Sequence, residues 1–134
     1  MNSPAIDIAK YLASVDYTGL GGFGGSDRWC VNAVWEPAEP NDVVTVYDSG
    51  GTGPDTDELD ISVVNFQVRV RCAAYNEGYA IHEIIRDLLI LPAPIVMETS
   101  TFVGVTMTSD VIGIGRDDND RHLLTANYQA IREI

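Results

Sequence analysis

The chain has 134 residues, 46% of them hydrophobic and 21% charged, as expected for one globular domain with its own core. Twenty acidic residues against eight basic ones give a formal net charge of −12, which excludes a surface that binds phosphate backbones. No apolar run approaches the roughly 20 residues of a membrane helix. We therefore predict a single domain over residues 1–134 with no membrane or nucleic-acid-binding role.

The first 60 residues predict one helix followed by two strands. Ser3 is a suitable N-cap, Pro4 suits the first helical position, and apolar residues then recur at helical spacing. The second loop in this part is long enough to suggest a role in binding or assembly. The predicted elements are a helix (4–14), a glycine-rich loop (17–27), strands (29–35 and 43–47) and a polar loop (48–60).

The rest of the chain predicts a longer strand, a helix and further strands. Residues 61–72, ISVVNFQVRVRC, alternate apolar and polar side chains, which is typical of a strand with one buried face. The predicted elements are that strand, a helix (75–91), a strand (101–108), a short strand or irregular link (111–115) and a last strand (123–133). The fold class is α+β, with a mostly antiparallel β-sheet flanked by two α-helices.

Sequence patterns that resemble catalytic or ligand-binding motifs lack the context that their chemistry needs. Residues 19–24 match G-x-G-x-x-G, but a helix precedes them and a strand follows, the reverse of a dinucleotide site. His82 and His122 have no identifiable nucleophile or orienting acid, and no His/Cys spacing resembles a zinc site. Cys30 and Cys72 are expected to be reduced and buried. We predict no catalytic residue, bound metal or cofactor.

An acidic cluster before the last strand has two interpretations. It fails as a calcium loop, because His122 stands at the sixth place and Tyr128 at the twelfth, where glycine and glutamate are needed. A magnesium-dependent phosphoryl-transfer enzyme using Asp117, Asp118 and Asp120 is a remote alternative. Asp and Asn favour turns, so we predict a structural turn. Its residues are Arg116, Asp117, Asp118, Asn119, Asp120 and Arg121.

Three strings in a fixed order carry a family resemblance. They are VYDSGG at residues 46–51, FQVRVR at 66–71 and DDNDR at 117–121, the last followed by Asn127-Tyr128. In this order and spacing, the chain resembles the bacteriophage minor capsid and tail-terminator proteins of long-tailed phages. The resemblance covers most of the chain and implies a sheet flanked by helices and no cofactor.

The resemblance implies a structural role in the virion. Such proteins form a ring, typically six-fold, at the head-proximal end of the tail tube, where the ring stops tube growth and docks to the head connector. The implied partners are further copies of the chain, the tail tube protein and the neck proteins, with genomic DNA passing through the lumen unbound. The implied location is the virion neck, and the host cytoplasm during assembly. A head-completion or connector-stopper protein is the alternative.

A ring needs one surface patch that meets a different patch on the next copy. The polar face of the 61–72 strand carries Arg69 and Arg71, and the loop before it is acidic. Arginines at such contacts would set register and partner choice, whereas the alternative is an ordinary solvated strand face. The candidate interface residues are Arg69, Arg71, Asp55, Asp57, Glu58 and Asp60.

Overall fold

A computed structural model describes residues 2–15, 19–54, 61–90, 94–97 and 99–133. Both predicted helices and all the predicted strands are present. A short strand that the sequence did not predict, Ile95–Val96, precedes the strand predicted at 101–108. The elements are α1 (Pro4–Ser14), β1 (Cys30–Ala33), β2 (Val43–Pro54), β3 (Ile61–Cys72), α2 (Tyr75–Leu89), β4 (Ile95–Val96), β5 (Thr101–Met107), β6 (Ile112–Arg116) and β7 (His122–Glu133). None of the helices described is long and apolar enough to cross a membrane.

The strands form one sheet in the order β1-β2-β3-β7-β5-β4, and β6 pairs with β7 beside β5. β3 and β7 are paired along their whole length, from Ile61 opposite Glu133 to Cys72 opposite His122. Most neighbours are antiparallel, as predicted, but β1 and β2 are parallel, so the sheet is mixed. β1 and β2 are parallel because the connection between them runs back to the end of the sheet where β1 begins. A hairpin would instead make the two strands antiparallel.

The hydrophobic core lies on one face of the sheet, and both helices pack there. Phe66 of β3 stacks on Tyr128 of β7, with ring centroids 5.1 Å apart. Ile8 of α1 and Ile85 of α2 are fully buried in the same cluster. Burying each such side chain contributes about 1.5–3 kcal/mol. Both cysteines are buried and unbridged, as predicted.

The predicted loop at 48–60 is wrong for its first half, because residues 48–54 continue β2. The sequence Asp-Ser-Gly-Gly suggested a loop, since glycine is depleted in strands. Here Gly51 forms a bulge opposite β3, at φ +147°, where a Cβ atom would lie 2.2 Å from the carbonyl oxygen of Val63. Residues 55–60 lie outside the described part of the chain.

Candidate assembly surface

We call the sheet face opposite the helices the open face. It carries Asn65, Gln67, Arg69 and Arg71 of β3 beside Thr125 and Asn127 of β7. The connection between β1 and β2, residues 34–42, lies across part of this face, because its polar groups meet the arginines there. This connection therefore covers one end of the open face, and the rest of the face is uncovered.

Arg71 lies under this connection, with its side chain only 3% exposed. Its guanidinium donates to the carbonyl oxygen of Pro40 at 2.7 Å, to that of Asn41 at 3.4 Å and to the Glu36 carboxylate at 3.3 Å. Burial, reinforced by the charge of Arg121, lowers the pKa of Arg71. Arg71 fixes the connection to the sheet and presents no side chain at the surface.

Arg69 is the more accessible of the two predicted interface arginines, with 29% of its side chain exposed. Its Nε lies 3.3 Å from Glu36 Oε2, so one carboxylate stands between two guanidinium groups. Burial and then the charge of Glu36 raise the pKa of the neighbouring Tyr47. The acidic partners predicted for these arginines, Asp55, Asp57, Glu58 and Asp60, fall outside the described residues.

The acidic cluster lies in the turn between β6 and β7. Asp117 Oδ1 accepts from the backbone amides of Asn119 at 3.0 Å and Arg121 at 2.9 Å, and Oδ2 accepts from Arg121 Nε at 2.8 Å. Burial acts to raise the pKa of Asp117, but these hydrogen bonds outweigh it and hold the pKa below its usual value. Asp120 adopts a left-handed conformation at φ +63°, which Asp tolerates well.

The arginines on either side of this turn have different partners. Arg121 Nη1 donates to the carbonyl oxygen of Ala38 at 2.7 Å, which ties the turn to the connection over the open face. Arg116 forms an exposed ion pair with Asp120 at 2.9 Å, and Asp118 is exposed. Within the described ranges, no group of three or more His, Cys, Asp or Glu side chains is placed to hold a metal ion.

The two histidines lie in packing positions. His82 is fully buried on α2, and its Nε2 donates to the carbonyl oxygen of Leu124 at 2.9 Å, which joins α2 to β7. Its Nδ1 is buried and has no hydrogen-bond partner, and burial lowers the pKa of His82. His122 meets the edge of the Tyr75 ring at a centroid distance of 5.6 Å.

Two carboxylates that the sequence analysis did not single out hold α1 in place. Asp48 Oδ1 accepts from the Ala5 amide at 2.9 Å, which puts a negative charge at the positive end of the helix. Asp7 is fully buried and accepts from the hydroxyls of Thr99 at 2.7 Å and Ser100 at 2.8 Å. Asp48 and Gly51 give the VYDSGG string a structural purpose: one caps a helix and the other forms a bulge.

The sequence analysis missed two large apolar residues at the surface. The strand predicted over 29–35 ends at Ala33, and the following Val34 and Trp35 are 56% and 69% exposed. Val34 also has φ +69°, an unusual conformation for a β-branched residue. The available signal was Pro37, which ends a strand early and leaves the apolar residues before it outside the sheet.

The fold of this chain is similar to that of a chain in a solved structure. A solved structure titled "Virion of native gene transfer agent (GTA) particle" has a chain that matches this one with a TM-score of 0.70. The match covers 98% of this chain and 96% of that chain at 15% sequence identity. No curated protein matches the sequence.

A match between the sequence and a family model identifies the family of this chain. Residues 32–134 match the family model described as "Bacteriophage tail terminator protein", so the match extends over most of the chain. The chain belongs to the bacteriophage tail terminator family, and the resemblance inferred from its motifs is confirmed. It is accordingly a structural protein of phage tails, in a family that is not one of enzymes.

Proposed function

We propose that copies of this chain form a ring, most simply a hexamer, at the head-proximal end of the tail tube. The ring stops growth of the tube and joins the tail to the head connector. The observation that carries this proposal is the family match over residues 32–134. The ring joins the virion after assembly in the host cytoplasm, and its partners are the tail tube protein and the neck proteins.

The architecture suits a ring subunit. Two fully paired twelve-residue strands, β3 and β7, form a rigid centre, and shorter elements lie at both edges of the sheet. A ring requires different patches on the two sides of each subunit, and a sheet with two dissimilar edges supplies them. Such a subunit can hold its neighbours at a fixed angle.

The charge supports passage of DNA through the ring. A formal net charge of −12 per copy makes the protein repel phosphate groups, so DNA slides past such a surface without adhering. The few basic groups described are largely engaged internally: Arg71 by Glu36 and Arg121 by Asp117. A lumen lined by this chain therefore offers DNA little attraction.

Arg69 is the arginine that we propose for contact with the next copy, since Arg71 is buried. The acidic partner would be the 55–60 segment of the neighbour, with Asp55, Asp57, Glu58 and Asp60. Arg69→Ala is expected to lower ring stability with little change in the folding of the subunit. Ring assembly unchanged in this variant would remove Arg69 from the interface.

The test of the proposal is the native mass of the purified protein, alone and with purified tail tubes of the same phage. We expect a discrete species near six times 14.6 kDa, or subunits bound at one end of each tube. Tubes assembled in the presence of the protein should also stop at a uniform length. A protein that neither oligomerises nor binds tube ends contradicts the proposal.

Electron microscopy of the tubes separates the terminator from the connector-stopper alternative. A terminator binds the end of a tail tube without head proteins, whereas a connector-stopper binds the head connector in the absence of tails. Binding only to purified connectors would assign this chain to the head side of the neck. Parallel samples with tubes alone and with connectors alone therefore test both roles.

A further inference from the structure

Three arginine side chains and two carboxylates meet under and beside the connection between β1 and β2. Glu36 lies 3.3 Å from both Arg69 and Arg71, and Asp117 pairs with Arg121 at 2.8 Å. The charges of Arg121 and Asp117 also act on the pKa of Arg71, so the two sets of ion pairs influence each other. We call these five side chains the arginine cluster. Its three guanidinium groups against two carboxylates leave one positive charge unbalanced.

The unbalanced charge of the arginine cluster is accessible at Arg69. The side chains of Arg71 and Arg121 are only 3% and 9% exposed, whereas 29% of the Arg69 side chain is exposed. Glu39 on the connection and Asp118 in the β6–β7 turn are exposed, so water screens their charges and they balance the cluster only weakly. A chain with a formal net charge of −12 therefore presents a local positive charge at Arg69.

The ion pair between Arg69 and Glu36 is incomplete. Arg69 Nε and Glu36 Oε2 are both buried and lie 3.3 Å apart, but they do not form a hydrogen bond with each other or with another group. The other oxygen of the carboxylate, Oε1, accepts a hydrogen bond from Arg71 Nη1. Glu36 is thus hydrogen-bonded to Arg71 and only close to Arg69. The terminal nitrogens of Arg69 remain available to a further acceptor.

Arg69 stands where the covered end of the open face meets the uncovered part. The strand register puts it in one row with Thr125, which is buried. The next row away from the connection consists of Tyr47, Gln67 and Asn127, which are uncharged and half-buried. A carboxylate that approaches Arg69 across this row meets no acidic side chain in it.

From this arrangement we propose that Arg69 exchanges partners on assembly: a carboxylate of the next copy binds its guanidinium, and Glu36 is left to Arg71 alone. The inference rests on the proposed function and adds a residue, Glu36, that competes with the next copy for Arg69. A guanidinium can present two parallel N–H donors to one carboxylate, which fixes the direction of the contact. The neighbour then supplies the negative charge that the arginine cluster lacks.

A second copy is the occupant that the charges favour. Copies with a net charge of −12 repel each other, so a contact between them forms most readily where one of them presents a positive charge. Each copy also brings 20 acidic residues to such a contact. DNA offers only phosphate charge to a surface of this net charge, whereas another copy also brings apolar side chains. The ion pair formed at Arg69 would set the register between subunits.

Glu36→Gln separates competition from structural support. Glutamine keeps the shape of the side chain and removes its charge, so we expect the free energy of unfolding to fall. At the same time, association between copies should tighten roughly fivefold, because a negative charge close to Arg69 is lost. A purely structural role of Glu36 would weaken both. Urea unfolding measures the first effect, and the protein concentration at half-maximal assembly, in solution or on tail tube ends, measures the second.

The matched control is Glu39→Gln, which makes the same change in net charge at an exposed position of the same connection. It should change association by less than about twofold. Arg69→Met keeps the apolar stem and should weaken association. Its free energy of unfolding should stay unchanged or rise, because Glu36 then serves Arg71 alone. In the Arg69→Met protein, Glu36→Gln should tighten association no more than Glu39→Gln does.

The outcomes separate this inference from the proposed ring. Association that Glu36→Gln tightens no more than Glu39→Gln overturns the exchange and leaves the ring intact. If Glu36→Gln does not fold, Arg69→Met decides, since a clear fall in its free energy of unfolding overturns the exchange. Tighter binding of duplex DNA by Glu36→Gln, without tighter association, would make a phosphate the occupant and overturn it too. An unmodified protein that neither oligomerises nor binds tube ends overturns the proposed function and this inference with it.

Discussion

Glu36 is the residue on which the covered end of the open face depends. Its carboxylate stands 3.3 Å from both Arg69 and Arg71, and Arg71 is nearly inaccessible to water. Removing the Glu36 carboxylate leaves the buried Arg71 guanidinium without a counter-charge. This loss lowers the free energy of unfolding far more than the loss of an exposed ion pair does. A single acidic side chain therefore fixes the connection that presents Trp35.

We expect Glu36→Ala to destabilise the protein by about 3 kcal/mol, the usual effect of leaving a buried charge unpaired. Urea unfolding monitored by tryptophan fluorescence measures this change. Glu39→Ala, on the same connection but exposed, is the matched control and should change the free energy of unfolding by less than about 0.5 kcal/mol. Equal effects of the two substitutions would show that Glu36 does not hold the connection.

His82 predicts a pH dependence of stability. Burial lowers its pKa from 6.5 in the folded protein, so the unfolded chain binds a proton more readily. The free energy of unfolding should therefore fall as the pH decreases below about 6.5, and the contribution is fully present above that value. In His82→Phe this part of the pH dependence should disappear. A variant with the same slope as the original protein between pH 5 and pH 7 contradicts this assignment.

At the scale of elements, the turn between β6 and β7 depends on one of its acidic residues. Asp117 accepts three hydrogen bonds from Asn119 and Arg121, whereas its neighbour Asp118 is exposed in the turn. Turn chemistry, with side-chain oxygens bonded to nearby amides, accounts for the acidic string. The same turn holds β6, with its exposed Ile112 and Ile114, against β7.

Asp117→Ala is expected to destabilise the protein by about 1–3 kcal/mol, because two backbone amides and a guanidinium lose their acceptor. The pKa of Asp117 is held below its ordinary 3.8, so its contribution is present above that pH and is lost as the pH falls through the lowered value. Chemical denaturation at pH 7 and pH 3 measures both effects. Asp118→Ala is the control and should be close to neutral, and an equal loss in both variants would exclude a specific role for Asp117.

For the whole molecule, net charge and apolar contact oppose each other. Each copy carries a formal charge of −12, so neighbouring copies repel, while exposed apolar side chains such as Trp35 and Ile114 favour association. Salt screens repulsion between exposed charges over about 8–10 Å at physiological ionic strength and leaves apolar association in place.

We therefore expect assembly to strengthen as sodium chloride is raised from low to physiological concentration. Sedimentation velocity at several protein concentrations measures the shift in subunit distribution. The Trp35→Ala variant, which retains the charge, should respond to salt in the same direction from a weaker starting point. Assembly that weakens steadily with salt would mean that ion pairs, and not apolar patches, dominate the interface.

Local patterns were sufficient to predict most elements. The alternation in residues 61–72 and 123–133 predicted β3 and β7, and helical spacing with the Ser3-Pro4 start predicted α1. The prediction failed where a local sequence pattern is compatible with more than one structure. Glycines at 50 and 51 indicated a loop but form a bulge within β2, and Trp35 looked like part of a strand but follows it.

By itself, the sequence determined most of the secondary structure, the buried face of each central strand and the family to which the chain belongs. These properties depend on side-chain periodicity and on the order of short motifs, both of which are local. Only the tertiary structure decided that β1 and β2 are parallel, that Arg71 is buried while Arg69 remains accessible, and that Trp35, Ile112 and Ile114 are exposed. Those properties depend on which distant segments meet, and strand register across the sheet sets them.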